Sequence, residues 1–359
     1  MKKLFVIVTA VSMILGSAAG AVAEDWNFYG SVRLDTFNVD MKYHDYNALG
    51  LSDTNNFYTA VQDESRIGAR VNASDTLYGR FEYGAENGNV NLRLLYGRWD
   101  FGAGRLYVGR YYTPLSLTDS NQVFRGATMS EWGALYAGRQ DGLKLTFLQG
   151  AVQIGAYDPT AESSALGTTQ EYTLPKIEAS LYYPLNNNLS LFGGAGYQSY
   201  KADDVDVDSH IFGAGARLSV GPFYISANAY TGQNVNEMAE WSYSEDGLNA
   251  TNADPVLRGG VVYDSQTLGY LVFAGYKLND TFTFEAGYGG LETDHDDPLM
   301  PQEDTAAAYY INCVITLAEG VTVTPEFSVF DAKTGYDPMG NFVEQPRQTV
   351  IGMKWQINF

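Results

Sequence analysis

Cysteine is almost absent from the sequence: Cys313 is the only one among 359 residues. That excludes a disulfide framework and a cysteine-based zinc site. Histidine is nearly as scarce, with His44, His210 and His295 alone, so a Ser-His-Asp hydrolase has few residues to draw on. Basic charge is in deficit, 22 Lys+Arg against 42 Asp+Glu, for a formal net charge of -20. This disfavours a nucleic-acid partner, because phosphate binding needs a basic footprint. Beyond the first two dozen residues no run of 18 apolar residues occurs, which excludes a later membrane-spanning helix.

What is abundant points elsewhere. Aromatic residues make up 14% of the chain, Tyr numbers 27 and Gly 38, a composition suited to strands joined by many turns. Lys2 and Lys3, the apolar stretch Leu4 to Leu15 and the small-residue site Ala21-Val22-Ala23 read as a cleaved signal peptide over 1–23. The mature part, 24–359, is then an exported, aromatic-rich chain. Two classes fit it: a soluble β protein, or an outer-membrane barrel.

Period-two patterning recurs from end to end. Leu77, Gly79, Phe81 and Tyr83 alternate with Tyr78, Arg80 and Glu82, and Val321, Val323, Pro325, Phe327 and Val329 with Thr322, Thr324, Glu326 and Ser328. Such strands have one apolar and one polar face. Very short Asn, Asp and Gly connectors, such as "NASDT" (72–76) and "KLNDT" (277–281), are interleaved with longer polar stretches at 41–56, 84–90, 113–138, 159–170, 202–207, 233–262, 293–304 and 333–345. That is the plan of an all-β, antiparallel, up-and-down transmembrane β-barrel, with short periplasmic turns and long extracellular loops. It predicts 16 strands: 25–40, 57–72, 76–84, 91–101, 104–112, 139–148, 151–158, 171–184, 189–201, 208–219, 223–232, 263–278, 281–292, 305–317, 321–332 and 346–358. Facing is ambiguous at 104–112 and 263–278, where both parities hold apolar residues.

An open sheet edge cannot survive in hydrocarbon, where each unpaired backbone group costs several kcal/mol. The first strand must therefore pair with the last, "VIGMKWQINF" (350–359), whose Ile351, Met353, Trp355 and Ile357 read as facing lipid and whose Lys354 and Gln356 read as facing inward. A barrel of about 16 strands leaves an aqueous channel. Tyr182, Tyr183, Trp355, Phe359, Phe223, Tyr224, Phe282 and Trp26 fall near turns or strand ends, where interfacial aromatic girdles sit. Arg66, Arg70 and Arg80 share the polar face, and a charge on the lipid side near mid-membrane costs roughly 2–4 kcal/mol. They are expected to point inward.

The stretches "SRIGARVNASDTLYGRFEYG" (65–84) and "LYGRWDFGAGRLYVGRYYTPL" (95–115), together with the terminal Phe359, resemble the general porins of Gram-negative outer membranes. The resemblance implies a water-filled, 16-stranded and usually trimeric barrel whose third loop folds inward, with arginines of the early strands facing acids on that loop. Arg66 and Arg110 sit in the matching motifs, and Arg33, Arg70, Arg80 and Arg139 join them by strand position. The third loop would be 113–138, with Asp119 and Glu131 as its acids, although "SEWGAL" departs from the family's usual loop sequence. Trp355 and Phe359 would serve as a signal to the barrel assembly machinery. Lipids, lipopolysaccharide and small hydrophilic solutes are the implied partners.

Weaker signals remain. The acidic clusters "DDVDVDSH" (203–210) and "ETDHDDPLMPQED" (292–304) could bind Ca²⁺ loosely, but lack EF-hand spacing, and no cofactor is expected. The glycines of "FGGAG" (192–196) and "FGAGAR" (212–217) lack the context of a nucleotide loop and read as bends or close approaches in a sheet. Three functions stay open: a passive diffusion porin, a sugar- or anion-selective channel, and a non-channel barrel such as an adhesin or enzyme. The acidic chain favours weak cation preference; the arginines oppose it.

Overall fold

The computed structural model describes residues 25–45, 50–86, 89–117, 120–126, 128–159, 170–238, 253–299, 304–336 and 342–359. The expected signal segment 1–23 and Asp119 lie outside them. Sixteen strands form one closed antiparallel barrel: β1 (Asp25–Lys42), β2 (Thr54–Val61 and Arg66–Asn72), β3 (Leu77–Glu86), β4 (Asn89–Asp100), β5 (Gly104–Tyr112), β6 (Arg139–Phe147), β7 (Val152–Tyr157), β8 (Gln170–Glu171 and Lys176–Pro184), β9 (Leu189–Ala202), β10 (Val205–Val220), β11 (Phe223–Gln233), β12 (Ser265–Lys277), β13 (Phe282–His295), β14 (Asp304–Ala318), β15 (Val321–Tyr336) and β16 (Phe342–Glu344 and Arg347–Asn358). Each pairs with its sequence neighbour. The ring closes in continuous register from Ser31 opposite Asn358 to Lys42 opposite Arg347.

The outer surface is apolar where a soluble protein would be polar. Phe28, Ile67, Phe212, Ile311 and Ile351 are each 57–72% exposed. An apolar belt of this kind needs hydrocarbon around it. The ambiguous faces resolve in the same way. On β12, Leu268, Tyr270 and Val272 are exposed and Leu271 and Phe273 buried. Both faces are apolar because the inner one packs on an inserted loop rather than on water.

Two of the expected long loops are not loops. β3 runs on to Glu86 and β4 begins at Asn89, so most of 84–90 is strand, and only 203–204 separate β9 from β10. Asp203 and Asp204 both take positive φ (47° and 66°), as the central pair of a tight hairpin turn does. The acidic run 203–210 is thus mostly strand, with Asp206 and Asp208 exposed while Val207 and Ser209 are buried. Tyr224 departs from the expected girdle. Its hydroxyl donates to Glu285 inside the barrel, whereas Tyr182, Tyr183, Phe223 and Trp26 are 42–54% exposed.

The third loop fills part of the lumen with its described residues, 113–117, 120–126 and 128–138. Its two arms pair as a ribbon, Leu117 N–H to Leu135 O and Ala137 N–H to Leu115 O, both 2.9 Å. Leu115, Phe124, Met129, Trp132 and Leu135 are buried in one cluster with Ile211, Tyr230, Phe273 and Phe330 of the wall. The wall glycines make room. A Cβ on Gly194 would stand 2.5 Å from Leu115 Cδ2, and one on Gly213 2.5 Å from Leu135 Cδ2. The glycine runs at 192–196 and 212–217 therefore allow the close approach that the sequence suggests.

Candidate pore constriction

The inserted loop is held by carboxylates of the wall. Glu326 on β15 accepts the backbone N–H groups of Val123 (2.7 Å) and Phe124 (3.1 Å) and the side-chain amide of Gln122 (3.0 Å). Glu285 on β13 accepts the backbone N–H and side-chain amide of Asn121 and the hydroxyls of Tyr224 and Tyr310. Asp35 on β1 accepts the Arg125 N–H (3.0 Å) and the Gln62 amide (2.7 Å). Irregular backbone inside a barrel must find partners for its N–H groups. Ionised acceptors make the stronger bonds.

A basic cluster is built on the early strands. β2 is interrupted between Val61 and Arg66. Val61 lies opposite Leu34 and Arg66 opposite Ser31, so four residues, Gln62 to Ser65, face only Val32 and Arg33 of β1. The excess chain bulges. Ser65 Oγ accepts from Arg33 N–H (2.9 Å), and Gln62 N–H donates to Arg33 O (2.9 Å). The bulge presents Glu64. Its carboxylate meets Arg93 in a two-pronged bond, Oε1 to Nη1 at 3.0 Å and Oε2 to Nη2 at 2.6 Å. Arg66 (3.6 Å), Arg139 (3.8 Å) and Arg33 (3.9 Å) surround it.

A second irregularity places Arg93. Glu82 pairs with Leu94 and Tyr83 with Leu92, which leaves Arg93 as the extra residue of a β-bulge. A bulge re-aims a side chain. Arg93 is 1% exposed and also binds Glu82 through Nε at 2.9 Å. Glu82 in turn receives Arg80 (3.1 Å) and the Tyr29 hydroxyl (2.9 Å). Five arginines, 33, 66, 80, 93 and 139, therefore surround two glutamates, leaving three positive charges in excess.

Of the arginines expected from sequence, Arg33, Arg66, Arg80 and Arg139 come together here. Arg70 faces inward nearer the 73–76 turn, over the Tyr29 ring at 5.0 Å. Arg110 does not join them. It lies opposite Leu95 and Asp141 on the outer face of β5, beside the exposed Val108, and pairs with Asp141 at 3.2 Å. Glu131 is half-buried in the turn 128–133 of the loop. Lys354 lies opposite Asp35 and Thr324, on the inner side of β16, and Trp355 is 44% exposed on the outer. Alternation does not reveal either Glu64, which sits among four residues set against two and so outside the ladder, or Arg93, the extra residue of a bulge. The signal that was available is "QDES" (62–65), four polar residues interrupting an otherwise alternating run.

The histidines are dispersed: His44 is 3.5 Å from Glu344, His210 packs on Phe212 at 5.6 Å, and His295 ends β13. Among the described residues no three His, Cys, Asp or Glu side chains are grouped to hold a metal ion.

No family model and no curated protein matches the chain. Solved structures do. The outer membrane channel DcaP of Acinetobacter baumannii superimposes with a TM-score of 0.73 at 16% identity, over 94% of this chain and 98% of that one. The anion-selective porin from Comamonas acidovorans gives 0.61 at 15% identity, over 93% and 100%. A trimer form of OmpT from Vibrio cholerae gives 0.56 at 14% identity, over 93% and 100%. With its closed ring, apolar exterior and inserted third loop, the chain has the sixteen-stranded fold of the outer-membrane porins.

Proposed function

We propose that this chain is an outer-membrane porin, a water-filled channel through which small hydrophilic solutes and ions diffuse passively. The observation that carries this reading is the inserted third loop, clasped by Asp35, Glu285 and Glu326. A barrel of this strand number leaves an aqueous passage, and a loop held inside narrows it. Arg33, Arg66, Arg80 and Arg139, with Arg93, form the basic side of the constriction in this proposal, and Asp119 and Glu131 its loop side. Arg70 belongs to the vestibule below it. Such groups create a field across the passage that sorts ions.

The arginine excess revises the selectivity expected from the whole chain. Local charge at the narrowest level acts at short range, whereas the net charge of -20 is spread over a surface screened within about 8 Å at physiological salt. Weak anion preference is the expected behaviour. A specific solute binding track is the second reading, favoured by the contiguous inner-wall tyrosines 78, 96, 107 and 111, with ring centres 5.7–6.1 Å apart. Homotrimer formation is proposed as well. The Arg110–Asp141 pair on the outer face is costly against lipid, and a neighbouring subunit would cover it.

Planar-bilayer recording of the purified protein tests the channel. Stepwise conductance with a reversal potential on the anion side is expected. Absence of steps would refute the channel, and saturation of the current by one solute class would favour the binding track.

A further inference from the structure

We infer that Glu64 is a selectivity-setting residue of the channel, a tethered counter-ion seated in the arginine cluster that holds its anion preference down. The inference rests on the channel reading above and adds to it a role for one residue and the backbone device that delivers it.

The geometry separates Glu64 from the acids that hold the loop and from its neighbour Glu82. Asp35, Glu285 and Glu326 spend their oxygens on hydrogen-bond donors that hold the loop, and Glu82 is 1% exposed behind Arg80 and Arg93. Among the ion pairs of the described residues, Glu64 alone has four guanidinium groups within 4 Å, and its side chain keeps 24% of its surface open. Arg33, Arg66 and Arg139 are also partly open, at 15%, 23% and 17%. The three point the same charge at the lumen, and the carboxylate in their midst is what an ion passing at that level meets with them.

Glu64 is not a wall residue by pattern. It reaches the cluster because four residues of β2 stand opposite two of β1. The bulge is fastened at both ends. Ser65 exchanges hydrogen bonds with Arg33 through its hydroxyl. Gln62 donates through its amide to Asp35 (2.7 Å) and to the carbonyl of Val123 in the third loop (2.6 Å). The seat of Glu64 is thereby tied to the seat of the loop. A flexible counter-ion would average out; this one is held.

Coulomb's law sets the scale. One charge removed at about 8 Å from a passing ion in water changes its energy enough to alter each ion's passage about twofold, in opposite directions for anion and cation. The anion-to-cation permeability ratio should then rise about fourfold in Glu64→Gln.

The experiment is the reversal potential of wild-type and variant channels in a potassium chloride gradient across a planar bilayer. Glu64→Gln keeps the shape and one acceptor for Arg93, and is expected to shift the potential toward chloride. Glu64→Asp, which withdraws the carboxylate by one methylene, should shift it the same way by less, and stands in should the glutamine variant fail to assemble. Glu82→Gln carries the same charge change from a sealed position and should shift the potential less than Glu64→Gln. Asp141→Asn carries it on the outer face and should leave the potential in place. An unshifted potential in Glu64→Gln, or a shift equalled by Glu82→Gln, would overturn the assignment while leaving the channel intact. Loss of all steps in the wild type would instead refute the channel itself.

Discussion

The carboxylate of Glu326, midway along β15, accepts the backbone N–H of Val123 at 2.7 Å although 203 residues separate the two in sequence. Phe124 N–H, Gln122 and Asn312 converge on the same group. Each hydrogen bond to a charged acceptor contributes about 1.5–3 kcal/mol. Substituting Glu326 removes the acceptor from several donors of the loop at once, while the ladder bonds of β15 are backbone bonds and persist. Glu326→Ala should therefore fold as a barrel and conduct with larger, noisier steps. The check is single-channel current variance against wild type. Quiet steps of normal size would mean that apolar packing alone seats the loop.

That packing has its own tight point. Gly133 of the loop has φ +96°, and a Cβ there would stand 2.1 Å from the carbonyl oxygen of Tyr270. On the facing wall, a Cβ on Gly289 would stand 1.9 Å from the carbonyl oxygen of Trp132. Backbone lies against backbone, so neither clash can be relieved by turning a side chain. Gly133→Ala and Gly289→Ala should each lower the barrel's resistance to urea, by about 1–3 kcal/mol for overpacking of this kind. Gly102→Ala, in the 101–103 turn at φ +87° with open space around it, bears backbone strain without the clash and should cost less. An equal loss in Gly102→Ala and Gly133→Ala would assign the effect at Gly133 to φ rather than to the loop's seat, whereas Gly289, with no positive φ, bears the clash alone.

These contacts mark the limit of what the sequence alone could tell. All sixteen strands were readable, because alternation and turn residues are local properties and the apolar outer face enforces them. Closure followed from the physics of an edge in hydrocarbon. The third loop's place was readable only through resemblance, since nothing local in 113–138 says that its N–H groups will meet Glu285 and Glu326. Arg110 went astray because "GRYY" gives no clue to which parity faces lipid when both are mixed. Glu64 was hidden because it sits among four residues set against two, outside the ladder, and Arg93 because one extra residue at its bulge reverses the facing that alternation predicts.

Arg93 is the keystone of the basic cluster. At 1% exposure it joins Glu64 and Glu82, themselves on different strands. Removing Arg93 breaks its two-pronged bond to Glu64 and its Nε bond to Glu82 together, and each charge-assisted hydrogen bond contributes about 1.5–3 kcal/mol. Arg93→Met should accordingly reduce refolding yield into detergent or lipid. Arg93→Lys should recover part of it, since an ammonium keeps the charge but cannot fork to one carboxylate while donating Nε to another. Pairing Arg93→Met with Glu64→Gln should cost less than the two single changes added, because both changes remove the same two-pronged bond. Strict additivity in urea unfolding would show that the two residues are not coupled.

The last predicted effect concerns ring closure. Phe359 and Gly30 exchange backbone hydrogen bonds, Gly30 N–H to Phe359 O at 2.7 Å and Phe359 N–H to Gly30 O at 3.0 Å. A Cβ on Gly30 would stand 2.4 Å from the Phe359 ring, so the ring lies over the glycine at the seam between β1 and β16. Gly30→Val should displace the ring and weaken the seam, and Phe359→Ala in that background should relieve the clash. A role of Phe359 as an assembly signal predicts something different, a loss confined to cells. The two roles separate by where the defect is read. In refolding of purified protein, Gly30→Val should be impaired, and the double variant should approach Phe359→Ala alone. In cells, Phe359→Ala should lower outer-membrane abundance whether or not Gly30 is changed. Normal abundance of Phe359→Ala in cells would leave the residue a packing role at the seam and remove the signalling one.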